Sequence, residues 1–561
     1  MTVTSVPQPQ EAASIEARLL RRLWDRLDAP PSAGAASAKG REVPGTLIIA
    51  AVGLVVGLIA TAVAYQQDWI LLYPDAQSHL VIARRVLDSQ NTGFQQLGTV
   101  WLPVPHLLLL PFVQSFWLFS TGLAGSLLGT ASLAVSVSAL WRITTRVGFN
   151  RTARLVTIAV FMLNPAILYL TTTALTEPVL IAAILSALAG LSGWITAMPS
   201  ISPGELAVFA GIPSALAVLT RYEGWAFVAV GSLFVIIAAW RRWRSKSYCL
   251  TLVLSYVAAP AAAVAWWLSY NYIRYGDPLD FARGQYSAAA QQEAFNNLGL
   301  LTSKGNLGTA VTTYNWSAQN AIGIPLLIIA AVGIVILIWE RNTTTTGMLL
   351  WIPAFVYPFA ILSLYLGQTI IENDVTLPPG FIFNTRYGAV TIPMVALMAG
   401  VVVNWAYTRR QSIGRAATAI VLAATVGFCA WSFADYSTRI GVIREGYRLE
   451  NKGPGIEAAR WLGEHYEGGY ILIDDVANGV LIPMGVPLDQ LYASFNGEGY
   501  DLALKDPYQY VDWVFANTAN EGDRVTDAIT KDPNFKARFF PVYQAGDFVV
   551  WENSRRIGPI Q

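Results

Sequence analysis

Charge is what this chain has least of. Only 13% of its 561 residues are Asp, Glu, Lys or Arg, where soluble domains carry about 25%. With 54% hydrophobic residues, that shortage excludes a water-soluble globular protein. Cysteine is nearly absent: Cys249 and Cys429 both fall in apolar runs and report nothing about redox compartment. The net charge of +1 gives no reason to invoke nucleic acid. Several signatures are missing altogether. There is no Gly-rich phosphate loop opening a helix, no Walker lysine, no His-Glu-x-x-His and no cysteine pair at metal spacing. With three histidines in the whole chain, a dedicated metal centre is improbable.

What is present is a series of apolar runs near 20 residues, enough to cross a bilayer core of about 30 Å at 1.5 Å per residue. The pattern predicts eleven crossings, at 45–65, 122–141, 152–172, 178–197, 204–220, 224–240, 248–270, 321–339, 347–368, 387–407 and 416–433. With the N-terminus cytoplasmic, the inner loops hold Arg142, Arg146, Arg151 and Arg154, then Arg241, Arg242, Arg244 and Lys246, then Arg409, Arg410 and Arg415. That is the positive-inside bias. The expected location is therefore the cell (inner) membrane.

Three further regions complete the chain. Residues 1–44 read as a cytoplasmic tail in which Ile15, Leu19, Leu23 and Leu27 repeat beside Arg18, Arg22 and Arg26. That stripe suits a helix lying on membrane lipid or one packing on its own protein. In the first outer loop, 75–90 reads as a helix and 100–120 as an interfacial or re-entrant one broken at Pro103 and Pro105. The long loop 271–320 reads as a lid or binding loop. Residues 436–561 read as a small extracytoplasmic α/β domain, with strands at 469–475, 537–543 and 547–552 and helices at 455–466 and 508–530. The transmembrane domain proper is 45–435.

Ionisable groups beside a bilayer are kept where they pair or do work, and four clusters fall on the outer side. Asp75 and His79 follow Pro74 at i and i+4, which brings both onto one face of a helix; Asp75 as a plain helix cap is the competing reading. Glu177, after Thr176 and before Pro178, carries the same ambiguity. Arg221 and Glu223 share a tight turn between spans, as an ion pair or as part of a site. Arg386 beside Tyr387 offers forked donors and a hydroxyl, a match to phosphate. Arg274 and Arg283 are spare cations, and His106 follows Pro103-Val104-Pro105. One base and fixed cations on one face suit transfer of a sugar from a lipid phosphate: the base deprotonates an acceptor hydroxyl and the cations neutralise the departing phosphate.

Through these residues, and their order, the chain resembles the GT-C superfamily of polyprenyl-phosphate-sugar glycosyltransferases, which contains protein O-mannosyltransferases and lipid A aminoarabinose transferases. The resemblance covers about residues 45–435. It implies an α-helical polytopic membrane fold with interfacial helices in the first outer loop. It also implies Asp75 as the general base of an inverting transfer and Glu177 as the second-loop acid serving acceptor or metal. Arg221, Arg386 and Tyr387 would hold the donor phosphate, and His79, His106 and Glu223 would be acceptor or auxiliary contacts. The implied partners are a polyprenyl-phosphate sugar donor and a protein, glycolipid or polysaccharide acceptor. No paired acid follows Asp75, which weakens the case for a tightly bound divalent metal. A cation on Asp75 and Glu177, or on either with His79 or His106, stays open. The rival reading is a transporter or lipid flippase, against which stand the absence of inverted repeats and the one-sided charges; a third is a membrane scaffold.

Overall fold

The computed structural model describes residues 43–196, 202–284, 287–297, 302–340, 344–372, 382–449 and 453–556. The amphipathic stripe at 15–27 lies outside them. Among the described residues, eight helices are long and apolar enough to span a membrane, or ten if each of two bent pairs counts as one span. This is a multi-pass membrane protein. The first bent pair, Arg151–Met162 and Pro165–Thr171, turns by 63°. Pro165 cannot donate to the preceding turn, and the Asn164 side chain accepts from the N–H groups of Ala166 and Ile167 instead. The second, Leu307–Ile322 and Ile324–Trp339, turns by 108° at Gly323, whose φ of 84° is left-handed. The expected crossing at 204–220 is one shorter apolar helix, Pro203–Val218, with a π turn at Ala207–Gly211 within it.

Two helices form the centre of the bundle. Thr385–Arg409 and Glu177–Thr196 have 83% and 78% of their apolar windows buried, against 22% for Thr46–Gln66 and Gln411–Phe433 at the lipid-facing rim. Small residues let Thr46–Gln66 approach its neighbour closely. A Cβ at Gly53 would sit 2.6 Å from Val137 Cγ2, and one at Gly57 2.8 Å from Thr130 Cγ2.

The helix expected at 75–90 is Pro74–Arg85, and the one expected over 100–120 is two short helices, Val104–Leu109 and Phe116–Ser120. The loop read as 271–320 is shorter than that: the preceding helix runs to Tyr275, and Leu307–Ile322 is itself helical, capped by Asn306. Beyond the last span, Gly441–Leu449 forms a short helix against the membrane domain, with Val442, Ile443, Glu445 and Gly446 buried.

The C-terminal sheet has five strands, β1 (Ile471–Ile473), β2 (Leu491–Tyr492), β3 (Trp513–Asn517), β4 (Phe539–Ala545) and β5 (Phe548–Asn553). Their order is β2-β1-β3-β5-β4. β1 is parallel to β2 and β3, whereas β3/β5 and β4/β5 are antiparallel. The helix expected over 508–530 is instead β3 flanked by the short helices Pro507–Tyr510 and Arg524–Lys531. Trp513 to Ala516 are buried on both faces of the sheet, so the strand reads as a continuous apolar run rather than an alternation.

Candidate active site

Three helices of the membrane domain begin at one place. Glu177 is the first residue of Glu177–Thr196, Glu223 of Glu223–Trp243, and Thr385 opens the turn leading into the helix that ends at Arg409. Helix N-termini carry unpaired N–H groups and a partial positive charge. Acidic residues and anions are therefore favoured where the three meet. The basic residues Arg241, Arg242 and Arg409 stand in the last turns of two of these helices, at their other ends.

The four clusters expected from the sequence converge here. Arg386 Nη2 donates to Asp75 Oδ2 at 2.6 Å, and its Nε donates to Glu177 Oε1 at 2.9 Å. The same Glu177 oxygen accepts from Arg221 Nη1 at 2.9 Å. Arg221 also forks onto Glu223, with Nη2 at 2.8 Å and Nε at 3.1 Å, and reaches Thr176 Oγ1 at 3.2 Å. The result is a chain, Asp75–Arg386–Glu177–Arg221–Glu223, with residues 311 positions apart in sequence joined by one bond. Burial opposes the charge of Arg221, but Glu223 and Glu177 outweigh it and hold the guanidinium charged. Tyr387 lies under Arg221 with 4.5 Å from guanidinium carbon to ring centre, and Tyr73 lies likewise at 4.5 Å from Arg386.

The members differ in availability. Glu177 is completely buried, whereas the Asp75 side chain is 30% exposed and lines a cavity of about 2150 Å³. Arg221 has most of its donors on protein acceptors. Among the described residues, Arg386 Nη1 and Glu177 Oε2 are buried without a partner, unmet groups that each cost about 1–3 kcal/mol in a dry interior. The cavity walls come from both halves of the molecule, among them Arg221, Glu223, Arg274, Arg386 and Tyr387, and from the C-terminal domain Glu457, Trp461, Asp475 and Tyr543. Arg283 is tied to Asp277 in an exposed pair.

His79 does not share its partners with Asp75. It is 3% exposed, its Nδ1 lies 2.9 Å from His106 Nε2, and Trp101 packs 4.4 Å from its ring. Burial, reinforced by Arg386 and Arg221, lowers the His79 pKa from 6.5 to about 3; burial lowers His106 as well. Both are held neutral. Among the described residues, no group of three or more His, Cys, Asp or Glu side chains is placed to hold a metal ion. The acids expected to supply one each give an oxygen to a guanidinium, and the two imidazoles bond to each other.

Sequence reasoning missed Glu445. Its Oε1 accepts from the Tyr73 hydroxyl and the Asn384 N–H, and its Oε2 accepts from the Thr385 N–H at 3.0 Å and hydroxyl at 2.8 Å. Burial pushes its carboxyl up, against the pull of Arg386 and these donors. The available signal was a lone carboxylate amid Val442, Ile443 and Gly446 on the buried face of a short helix. Asp474, just past the end of β1, caps the turn Asp475–Asn478.

No protein-family model matches this sequence, and no curated protein matches it. Solved structures do share its fold. The structure of ArnT from Cupriavidus metallidurans bound to undecaprenyl phosphate matches with a TM-score of 0.54 and 14% identity, over 94% of this chain and 100% of that one. The apo structure of the same protein matches with a TM-score of 0.50 and 14% identity, over 92% of this chain and 99% of that one.

Proposed function

The chain has the GT-C fold of ArnT, and from that premise and the charge cluster we propose that it is a membrane glycosyltransferase. It moves a sugar from a polyprenyl-phosphate-linked donor to the hydroxyl of an acceptor. The observation that carries this reading is the Asp75–Arg386–Glu177–Arg221–Glu223 chain, set where three helices begin and open to the large cavity through Asp75. The lipid-bound ArnT structure supplies the donor class by analogy.

The acceptor oxygen attacks the sugar C1 from the face opposite the phosphate. The new O–C1 bond forms as the C1–O bond to the phosphate breaks, the acceptor proton passes to an Asp75 carboxylate oxygen, and lipid phosphate departs. Asp75 Oδ2 is held by Arg386, while Oδ1 makes no hydrogen bond among the described residues and is the oxygen presented to the acceptor. Arg386, on the cavity wall, and the helix N-termini stabilise charge as it grows on the leaving phosphate. Arg274, on the cavity wall, is a second cation for the donor. Arg221 acts chiefly by fixing Glu177 and Glu223, and Glu177 by fixing both arginines. His79 lines the wall, with His106 bonded to it behind as an uncharged pair. The site and the 436–561 domain face outward across the inner membrane, opposite the basic loops.

The test is transfer from labelled polyprenyl-phosphate sugars by purified protein in lipid nanodiscs, compared with Asp75→Asn. Loss of roughly 100- to 10,000-fold in turnover is expected, the range of a positioned general base. Full activity in Asp75→Asn would overturn the mechanism. No transfer by the wild type across a donor panel would overturn the enzyme reading in favour of a carrier or scaffold.

A further inference from the structure

Glu445 belongs neither to the outer loops of the bundle nor to the C-terminal sheet, yet it touches the active site from beneath. It lies in the helix Gly441–Leu449, between the last span and the soluble domain, and is fully buried. Its carboxylate joins two segments far apart in sequence. One is the residue two before Asp75, through the Tyr73 hydroxyl; the other is the turn immediately before Arg386, through the Asn384 and Thr385 N–H groups and the Thr385 hydroxyl. Asn384 has φ 57°, a left-handed conformation, and such a turn aims successive N–H groups at one anion. The Tyr73 ring meanwhile covers the Arg386 guanidinium at 4.5 Å.

The helix is seated closely enough to fix this geometry. A Cβ on Gly446 would fall 2.8 Å from Leu72 Cγ, and the Tyr447 hydroxyl accepts from Trp69 Nε1 at 2.9 Å. The contacts therefore run along Trp69, Leu72 and Tyr73 on one side and residues 384–385 on the other. Both carboxylate oxygens are fully used, and Glu445 is not among the residues lining the large cavity.

We infer that Glu445 is a positioning residue: it sets the distance between Asp75 and Arg386, and makes the helix joining the soluble domain to the membrane part of the catalytic centre. This rests on the glycosyltransferase reading, because turnover is its readout. A glutamine at this position presents an NH2 group to one of the N–H or hydroxyl donors, so it cannot reproduce the clasp. A phenylalanine at position 73 removes one bond and keeps the ring over Arg386.

The test uses full-length Tyr73→Phe, Glu445→Gln and the double variant in nanodiscs, measured for thermal stability and for transfer from a polyprenyl-phosphate sugar. We expect kcat per folded molecule to fall roughly 10- to 100-fold, as for a misplacement near 1 Å. KM for the donor should stay within about threefold, and the double variant should be no worse than Glu445→Gln. If Glu445→Gln does not fold, Tyr73→Phe decides alone. Variants that melt earlier but turn over at the wild-type rate overturn the inference and leave the proposed function standing. A wild type that transfers nothing overturns the proposed function itself, and this role with it.

Discussion

Arg386 holds two carboxylates at once, and its side chain is only 5% exposed. Its planar fork does this with Nη2 and Nε in fixed relation, which a lysine ammonium cannot match. Arg386→Ala leaves Glu177 buried with Arg221 as its remaining cation and should cost about 3–5 kcal/mol, enough to lower the yield of folded protein sharply. Arg386→Lys keeps the charge. It should fold with a melting temperature near the wild type while turnover drops roughly 100- to 1000-fold, the scale seen when one transition-state donor is removed. Wild-type turnover in Arg386→Lys would refute the fork.

The histidine pair gives a pH prediction. In the unfolded chain His79 titrates near 6.5, and in the folded protein near 3. Between those values the unfolded state binds more protons, so stability rises with pH and is lost on acidification. From pH 6.5 to pH 5 the loss is between about 1 and 2 kcal/mol for this one imidazole. Melting temperatures measured across that interval should therefore fall less steeply for His79→Asn than for the wild type. Parallel slopes would mean that the pair is not held neutral.

At the level of elements, close helix contact depends on what has no side chain. Gly57→Val adds atoms where a Cβ alone would already meet Thr130 Cγ2 at 2.8 Å, and overpacking of this kind costs about 1–3 kcal/mol. Gly427 lies in the helix Gln411–Phe433 with nothing within 4 Å of an added Cβ; Gly427→Ala should be neutral or gain up to about 1 kcal/mol of helix propensity. Melting of the two variants in the same detergent checks the contrast. A destabilised Gly427→Ala beside an unaffected Gly57→Val would reverse the packing account. Elements of this kind were legible in the sequence because apolar length and proline placement report directly on spans and their breaks. The helix start at Pro74 and the breaks near Pro103 and Pro105 follow from local rules. What was not legible depended on contacts across the chain. The strand β3 is buried on both faces from Trp513 to Ala516 and lacks the alternation that marks a strand, and the bend at Gly323 is set by the left-handed glycine and by Pro325 after it. Asp75, Glu177, Arg221 and Arg386 were each visible as ionisable groups beside apolar runs. That Glu177 bridges both arginines was not, and neither was Glu445, since one carboxylate in a short amphipathic segment looks the same whether it faces water or four donors.

For the whole molecule, the two halves enclose one cavity and are joined by polar contacts outside it. Gln90 Nε2 donates to the Leu491 carbonyl at 2.8 Å, Asn91 Nδ2 to that of Asn496 at 3.2 Å, and the Asp489 N–H to Asp88 Oδ1 at 3.2 Å. The first outer loop and the C-terminal domain must then lie on the same side of the membrane as Asp75, and the arginines at the far ends of the helices on the other. The proposed orientation rests on the basic loops, and it can be tested without any substrate. In a background with Cys249 and Cys429 replaced, Glu467→Cys should react with a membrane-impermeant maleimide in intact spheroplasts. Arg410→Cys should react only after the membrane is opened. Labelling of Arg410→Cys in intact spheroplasts, with Glu467→Cys protected, would turn the protein over, place Asp75 on the cytoplasmic side, and require the acceptor to be sought there. The donor's lipid tail is compatible with either leaflet, so it is the side reached by residues 467 and 410 that decides which acceptors can meet Asp75 at all.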